Sequence, residues 1–155
     1  MQNGKYKALT VANHIIAFYA KQQCPITNLR LQKLLYFAWV NHFIRQSSFL
    51  FDDEICAWQL GPVVPVVYDE FCIFSSIPIY PINSIDEPFL VGKDKEMLEL
   101  LLRTGEKYST NDLVTLTHEH NTPWDITFQN GYGNRSVIPF RIIIKSIQDG
   151  VTHAW

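Results

Sequence analysis

Between Leu29 and Ile44 apolar side chains fall on nearly every face of a helix: Leu31, Leu34, Leu35, Phe37, Ala38, Trp39 and Phe43. A helix that is apolar all round has no side to give to water, so the rest of the fold must pack around it. Thr27 stands where an N-cap belongs. Gln32 and Lys33 interrupt the apolar surface, and the long stem of Lys33 is expected to carry its charge outward.

The stretch from Ala57 to Tyr68 is the second constraint. Pro62 and Pro65 fix φ at two positions and push Gly61 and Val64 towards extended backbone, which predicts a segment stiffened without a hydrogen-bond ladder. Such a segment presents side chains and activates none. Ahead of it, Glu54 to Leu60 alternates as a short strand. Pro65 suits the first turn of a short helix through Val66 to Phe71. With Trp58 turned inward and Pro62, Val64 or Val66 outward, the segment would both cover the central helix and offer anchors to a partner.

The remaining chain reads mostly as helix. Ala8, Ala12, Ile15, Ile16 and Tyr19 mark a first helix ending before Cys24-Pro25. Pro78, Pro81 and Pro88 deny a central strand and leave an edge strand at Ile77 to Ile82. Asp94 is read as the cap of a helix ending at Gly105, and Ser109 with Asp112 as a capping box. Thr122-Pro123 opens a helix that stops by Gly131, and Gly131-Tyr132-Gly133-Asn134 reads as a turn. A last helix from about Ile138 to Gln148 would present Ile142, Ile143 and Ile147. The sum is an α+β, predominantly helical, compact single domain over residues 1–155, with a small β-element inserted after the central helix and flexible ends at 1–7 and 151–155.

Charge and chemistry narrow the function classes. The formal net charge of −2 comes with no basic run, which argues against non-specific nucleic-acid binding. No apolar run reaches the length of a bilayer span and the N-terminus is polar, so a cytoplasmic location is expected. Cys24, Cys56 and Cys72 form no C-x-x-C pair and are expected as buried free thiols. His118 and His120, at a helix end, point apart and do not make a metal site. His118 is expected to meet preceding carbonyls or to hydrogen-bond beside Trp124. Asp52-Asp53 with Glu54 reads as a solvated turn. A thiol enzyme using one cysteine with His118 as base has no local signature. The reading is therefore non-enzymatic, with no catalytic residue, metal or cofactor.

The helix motif Leu31-Gln32-Lys33-Leu34-Leu35-Tyr36-Phe37, followed by Trp58, Gly61-Pro62-Val63-Val64-Pro65 and Val67-Tyr68, resembles the Panacea domain family, phage-associated proteins that include SocA-like and GepA-like antitoxins. Thr117-His118 and Pro123-Trp124 resemble the family's later histidine and Pro-Trp pair, and Asn134 to Ile143 its closing helix. The family places an acidic residue after the second proline. Here it is Val66, so a partner contact at that point would be apolar.

The resemblance implies an antitoxin that neutralises a cognate protein toxin, encoded next to it, by direct binding, with a host protease as a further partner. The partner-facing set suggested by these motifs is Gln32, Lys33, Tyr36, Trp58, Gly61, Pro62, Val64, Pro65, Val66, Tyr68, His118 and Trp124. The rival reading, a small phage-associated regulator acting on DNA, lacks a helix that concentrates Arg and Lys.

Overall fold

The central helix of the computed structural model, which describes residues 3–81 and 89–155, is α2 (Asn28–Gln46). Leu31, Leu34, Leu35 and Trp39 on it have no exposed surface. The Thr27 hydroxyl accepts from the Arg30 N–H, capping its start as the sequence predicts. Ser47, left-handed at φ 51°, ends it.

Around α2 lie α1 (Ala8–Lys21), a hairpin of β1 (Cys56–Trp58) and β2 (Gly61–Val63), and α3 (Pro65–Phe71), which runs into a 3-10 turn, Cys72–Phe74. They are followed by α4 (Gly92–Gly105), α5 (Thr110–His118), α6 (Pro123–Phe128) and α7 (Phe140–Gln148). The chain is thus a predominantly helical α+β fold with a small β-element after the central helix. Trp39 shows how the outer elements are anchored. Its ring stacks 4.8 Å from Phe140 of α7, and its Nε1 donates to the Phe51 carbonyl.

The segment 61–63 departs from the sequence reading. It belongs to a ladder: β1 and β2 pair antiparallel, with Cys56 opposite Val63, Ala57 opposite Pro62 and Trp58 opposite Gly61. Proline is tolerated because of its register. In an antiparallel pair, alternate positions turn their backbone groups away from the partner strand. Ala57 does so, its N–H donating to Ser136 O and its carbonyl accepting from the Arg135 N–H. Pro62, opposite it, faces away from β1 as well, so its missing N–H removes nothing from the pairing. Gly61 is not extended as expected but has φ +113°, a region L side chains adopt rarely.

The outer edge of β1 is covered by residues 135–138, with Ile138 N–H donating to Ile55 O and Val137 bridged to Cys56. The resemblance places helix from Asn134, and the periodicity from about Ile138, but α7 begins only at Phe140 because the preceding residues are used as backbone partners of β1. On α7 Ile143 is buried and Ile142 only partly so.

Three further expectations are corrected. Asp94 does not cap α4; Val91 holds that position, and Asp94 sits buried in the first turn, accepting from Tyr6 Oη at 2.5 Å and pairing with Lys5 Nζ at 2.6 Å. Asp53 does more than solvate a turn: its carboxylate accepts from the Ala8 N–H at 2.8 Å and so caps α1 from a distance. Residues 77–81 form no strand; Ile79 is buried, its N–H donating to Ile26 O, and Ile82 lies outside the described residues.

The Ser109–Asp112 capping box and the Thr122 cap are present. The ends read as flexible also make contacts. Lys5 and Tyr6 N–H groups donate to Phe49 and Leu50 carbonyls, while the Trp155 ring lies 4.5 Å from Phe37 and 5.2 Å from Tyr108.

Candidate partner-binding site

The residues that carry the sequence motifs converge on the backbone of the hairpin and of α3. From α2, Lys33 Nζ donates to the Pro62 carbonyl at 2.7 Å, and Gln32 Oε1 accepts from the Val64 N–H at 2.9 Å. Gln32 Nε2 in turn donates to Asn28 Oδ1, one helical turn back, and Asn28 Nδ2 donates to the Tyr68 carbonyl in the middle of α3.

The later motif grips the same hairpin from its other side. Trp124 Nε1 donates to the Trp58 carbonyl at 2.7 Å, and His118 Nε2 lies 3.1 Å from the Gln59 carbonyl while its Nδ1 lies 2.7 Å from Val114 O. The His118 and Trp124 rings are 3.7 Å apart. Buried polar backbone atoms must find partners, and the loose edge of a two-stranded sheet has several to satisfy. The motif side chains satisfy them.

Lys33 therefore does not carry its charge outward. It has no exposed surface, and burial pulls its ammonium down to about 7 with no carboxylate to offset the desolvation. Gly61 explains the closeness of this packing. A Cβ there would lie 2.7 Å from Thr117 Oγ1 and 2.9 Å from Lys33 Nζ.

Of the twelve residues the sequence suggests as partner-facing, Gln32, Lys33, Tyr36, Gly61, Pro62, Val64 and Trp124 are buried within the chain. Trp58, Pro65, Tyr68 and His118 are half-buried. The indole of Trp58 lies edge-on to Tyr68 at 4.8 Å and under the Arg135 guanidinium at 4.2 Å, so a cation–π contact covers one ring face. Val66 is open, 53% exposed, as is Leu60 at the hairpin tip. Pro62 and Val64, read as outward, point in.

Asn28 and Arg135 were missed from the sequence. Asn28 could have been found from its i, i+4 spacing to Gln32. Arg135 gives no local signal, because the contact depends on a chain reversal far from Trp58.

Cys24 and Cys72 are exposed, correcting their expected burial, and only Cys56 is buried, its thiol pushed up by burial and by Glu54. Both ring nitrogens of His118 face backbone carbonyls. Among the described residues no three His, Cys, Asp or Glu side chains converge as a metal site, and no helix is long and apolar enough to cross a membrane.

The family described as Antitoxin SocA-like, Panacea domain, matches residues 31–125. The chain belongs to this family. Antitoxin SocA of Caulobacter vibrioides (strain NA1000 / CB15N) is 35% identical over 154 residues, spanning 92% of this chain and 80% of that protein. No solved structure matches. The Panacea match opens on α2 and closes just past Trp124, so it holds both sides of the grip on the hairpin, with Gln32 and Lys33 at one end and His118 and Trp124 at the other.

Proposed function

We propose that this Panacea-domain antitoxin is a cytoplasmic protein that neutralises a cognate toxin by direct binding, without catalysis, and that the outside of the hairpin and α3 forms the partner surface. The single observation that carries this reading is the division of labour in the motif. Its polar residues are used up holding hairpin backbone, while Leu60 and Val66 on the same elements remain open. Interfaces rely on a few apolar anchors on rigid supports, and the grip supplies the support. Val66, where an acidic residue is the family expectation, makes that anchor apolar.

The partner toxin is the product of a neighbouring reading frame, and its disposal by a host protease after capture is compatible with this surface. Co-expression tests the reading. The neighbouring frame alone should arrest growth, and this chain expressed with it should restore growth through a complex that co-purifies. Unrelieved arrest, or rescue without any complex, would contradict it.

A further inference from the structure

The outer face of α3 and its 3-10 extension is unlike the rest of the surface. Val67 is buried, and Phe71 and Phe74 pack against the core, fixing which side faces inward. On the other side Val66, Asp69, Glu70 and Ile73 are exposed, Ile73 at 85%, and just beyond the 3-10 turn Ile77, whose N–H donates to the Phe74 carbonyl, is exposed as well. Of the eleven large apolar residues that are exposed among the described residues, five lie from Leu60 to Tyr80 inclusive. Single exposed aliphatics are ordinary, but several within one short stretch of chain mark a candidate contact surface.

The charge on this face is one-sided. Among the described residues Asp69 and Glu70 form no ion pair, and the sequence holds no Lys or Arg between Arg45 and Lys93. Two free carboxylates set between Val66 and Ile73 repel nucleic acid and anionic lipid alike. They complement a protein segment that brings Lys or Arg between its own apolar residues.

We propose that this face docks a basic amphipathic helix of a protein partner, with Val66, Ile73 and Ile77 taking its apolar stripe and Asp69 and Glu70 its cations. As an account of the toxin's contact segment it rests on the antitoxin reading; as a binding property of this chain it can be tested without any toxin.

The test is an amide NMR titration of the isotope-labelled chain with a synthetic helical peptide of about 18 leucine and lysine residues, apolar at helical spacing, beside its leucine–glutamate counterpart. The lysine peptide should shift amides of residues 65–77. Its affinity should fall by about tenfold in Asp69→Lys/Glu70→Lys, and also when salt rises enough to screen exposed charges. Ile73→Ser should weaken binding and keep the salt dependence. Thermal melts matching the parent confirm that these exposed substitutions leave the fold intact.

The proposal is overturned if the lysine peptide shifts a different surface or none, if the glutamate peptide binds as well, or if the folded charge-reversed variant binds like the parent. Failed rescue in the co-expression assay would overturn the antitoxin reading and leave this docking result standing.

Discussion

The ammonium of Lys33 donates to the carbonyl of Pro62 at 2.7 Å, with no exposed surface on the lysine side chain. This bond joins the two most distinctive stretches of the sequence into one unit. Pro62 occupies the register position whose carbonyl turns away from β1, and a buried carbonyl left without a donor costs about 1–3 kcal/mol. Lysine reaches it from α2 at the expense of desolvating its own charge.

That exchange predicts a pH dependence. The Lys33 amine has its folded value near 7 against 10.5 for the ordinary side chain. Between those limits the unfolded chain binds more protons, so stability rises with pH from about 7 upward, by up to about 1.4 kcal/mol per pH unit. Urea unfolding at pH 7 and pH 9 should show a gain of order 2 kcal/mol in the parent. Lys33→Met should lose this gain over that interval. An equally steep variant would assign the dependence to another group.

Gly61→Ala should destabilise strongly. The residue sits at φ +113°, and an added Cβ would meet Thr117 Oγ1 at 2.7 Å and Lys33 Nζ at 2.9 Å. Backbone strain of about 1–3 kcal/mol adds to overpacking of similar size. A loss of about 2–5 kcal/mol in denaturant unfolding is expected, whereas alanine at Gly92, which has a positive φ but open space around it, should cost less.

Acid should loosen the contact between α1 and the residues leading into α4. His14 Nδ1 accepts from the Leu90 N–H, so its proton is on Nε2, facing Glu99. Desolvation lowers the folded value of this histidine despite the opposing pull of Glu99. The folded chain then binds fewer protons than the unfolded one, and stability present above pH 6.5 is lost as pH falls through the lowered value. Unfolding free energies at pH 7 and pH 5 should differ less for His14→Gln than for the parent. An unchanged difference would place the acid sensitivity elsewhere, with His42, also lowered by burial, next in line.

Much of the helical frame was legible because its signals are local. The all-apolar α2, the Thr27 cap and the Ser109–Asp112 capping box each act within a few residues. The first strand of the hairpin was legible in the alternation from Glu54 to Leu60, but its partner strand was not. Two prolines argue against a ladder until the register is known, and the register puts Pro62 where no N–H is needed. Lys33 was read by the usual habit of its side chain, which bends only because the acceptor at Pro62 lies deep. Asp53 and Asp94 bond to groups distant in sequence, so spacing could not assign them. At the site, the structure separates the motif residues that hold the hairpin from Val66, which stays open.

The measurement that tests the account most directly is toxin neutralisation by Val66→Asp, read beside its thermal melt. Val66 is half exposed on a face with no cation to pair an added carboxylate, so folding should change by no more than about 0.5 kcal/mol. An apolar anchor replaced by an unpaired charge at an interface should weaken binding by tenfold or more, on the order of the loss when a polar group is buried without a partner. The account predicts a variant that melts with the parent and fails to neutralise. A variant that melts with the parent and neutralises as well as it does would contradict it.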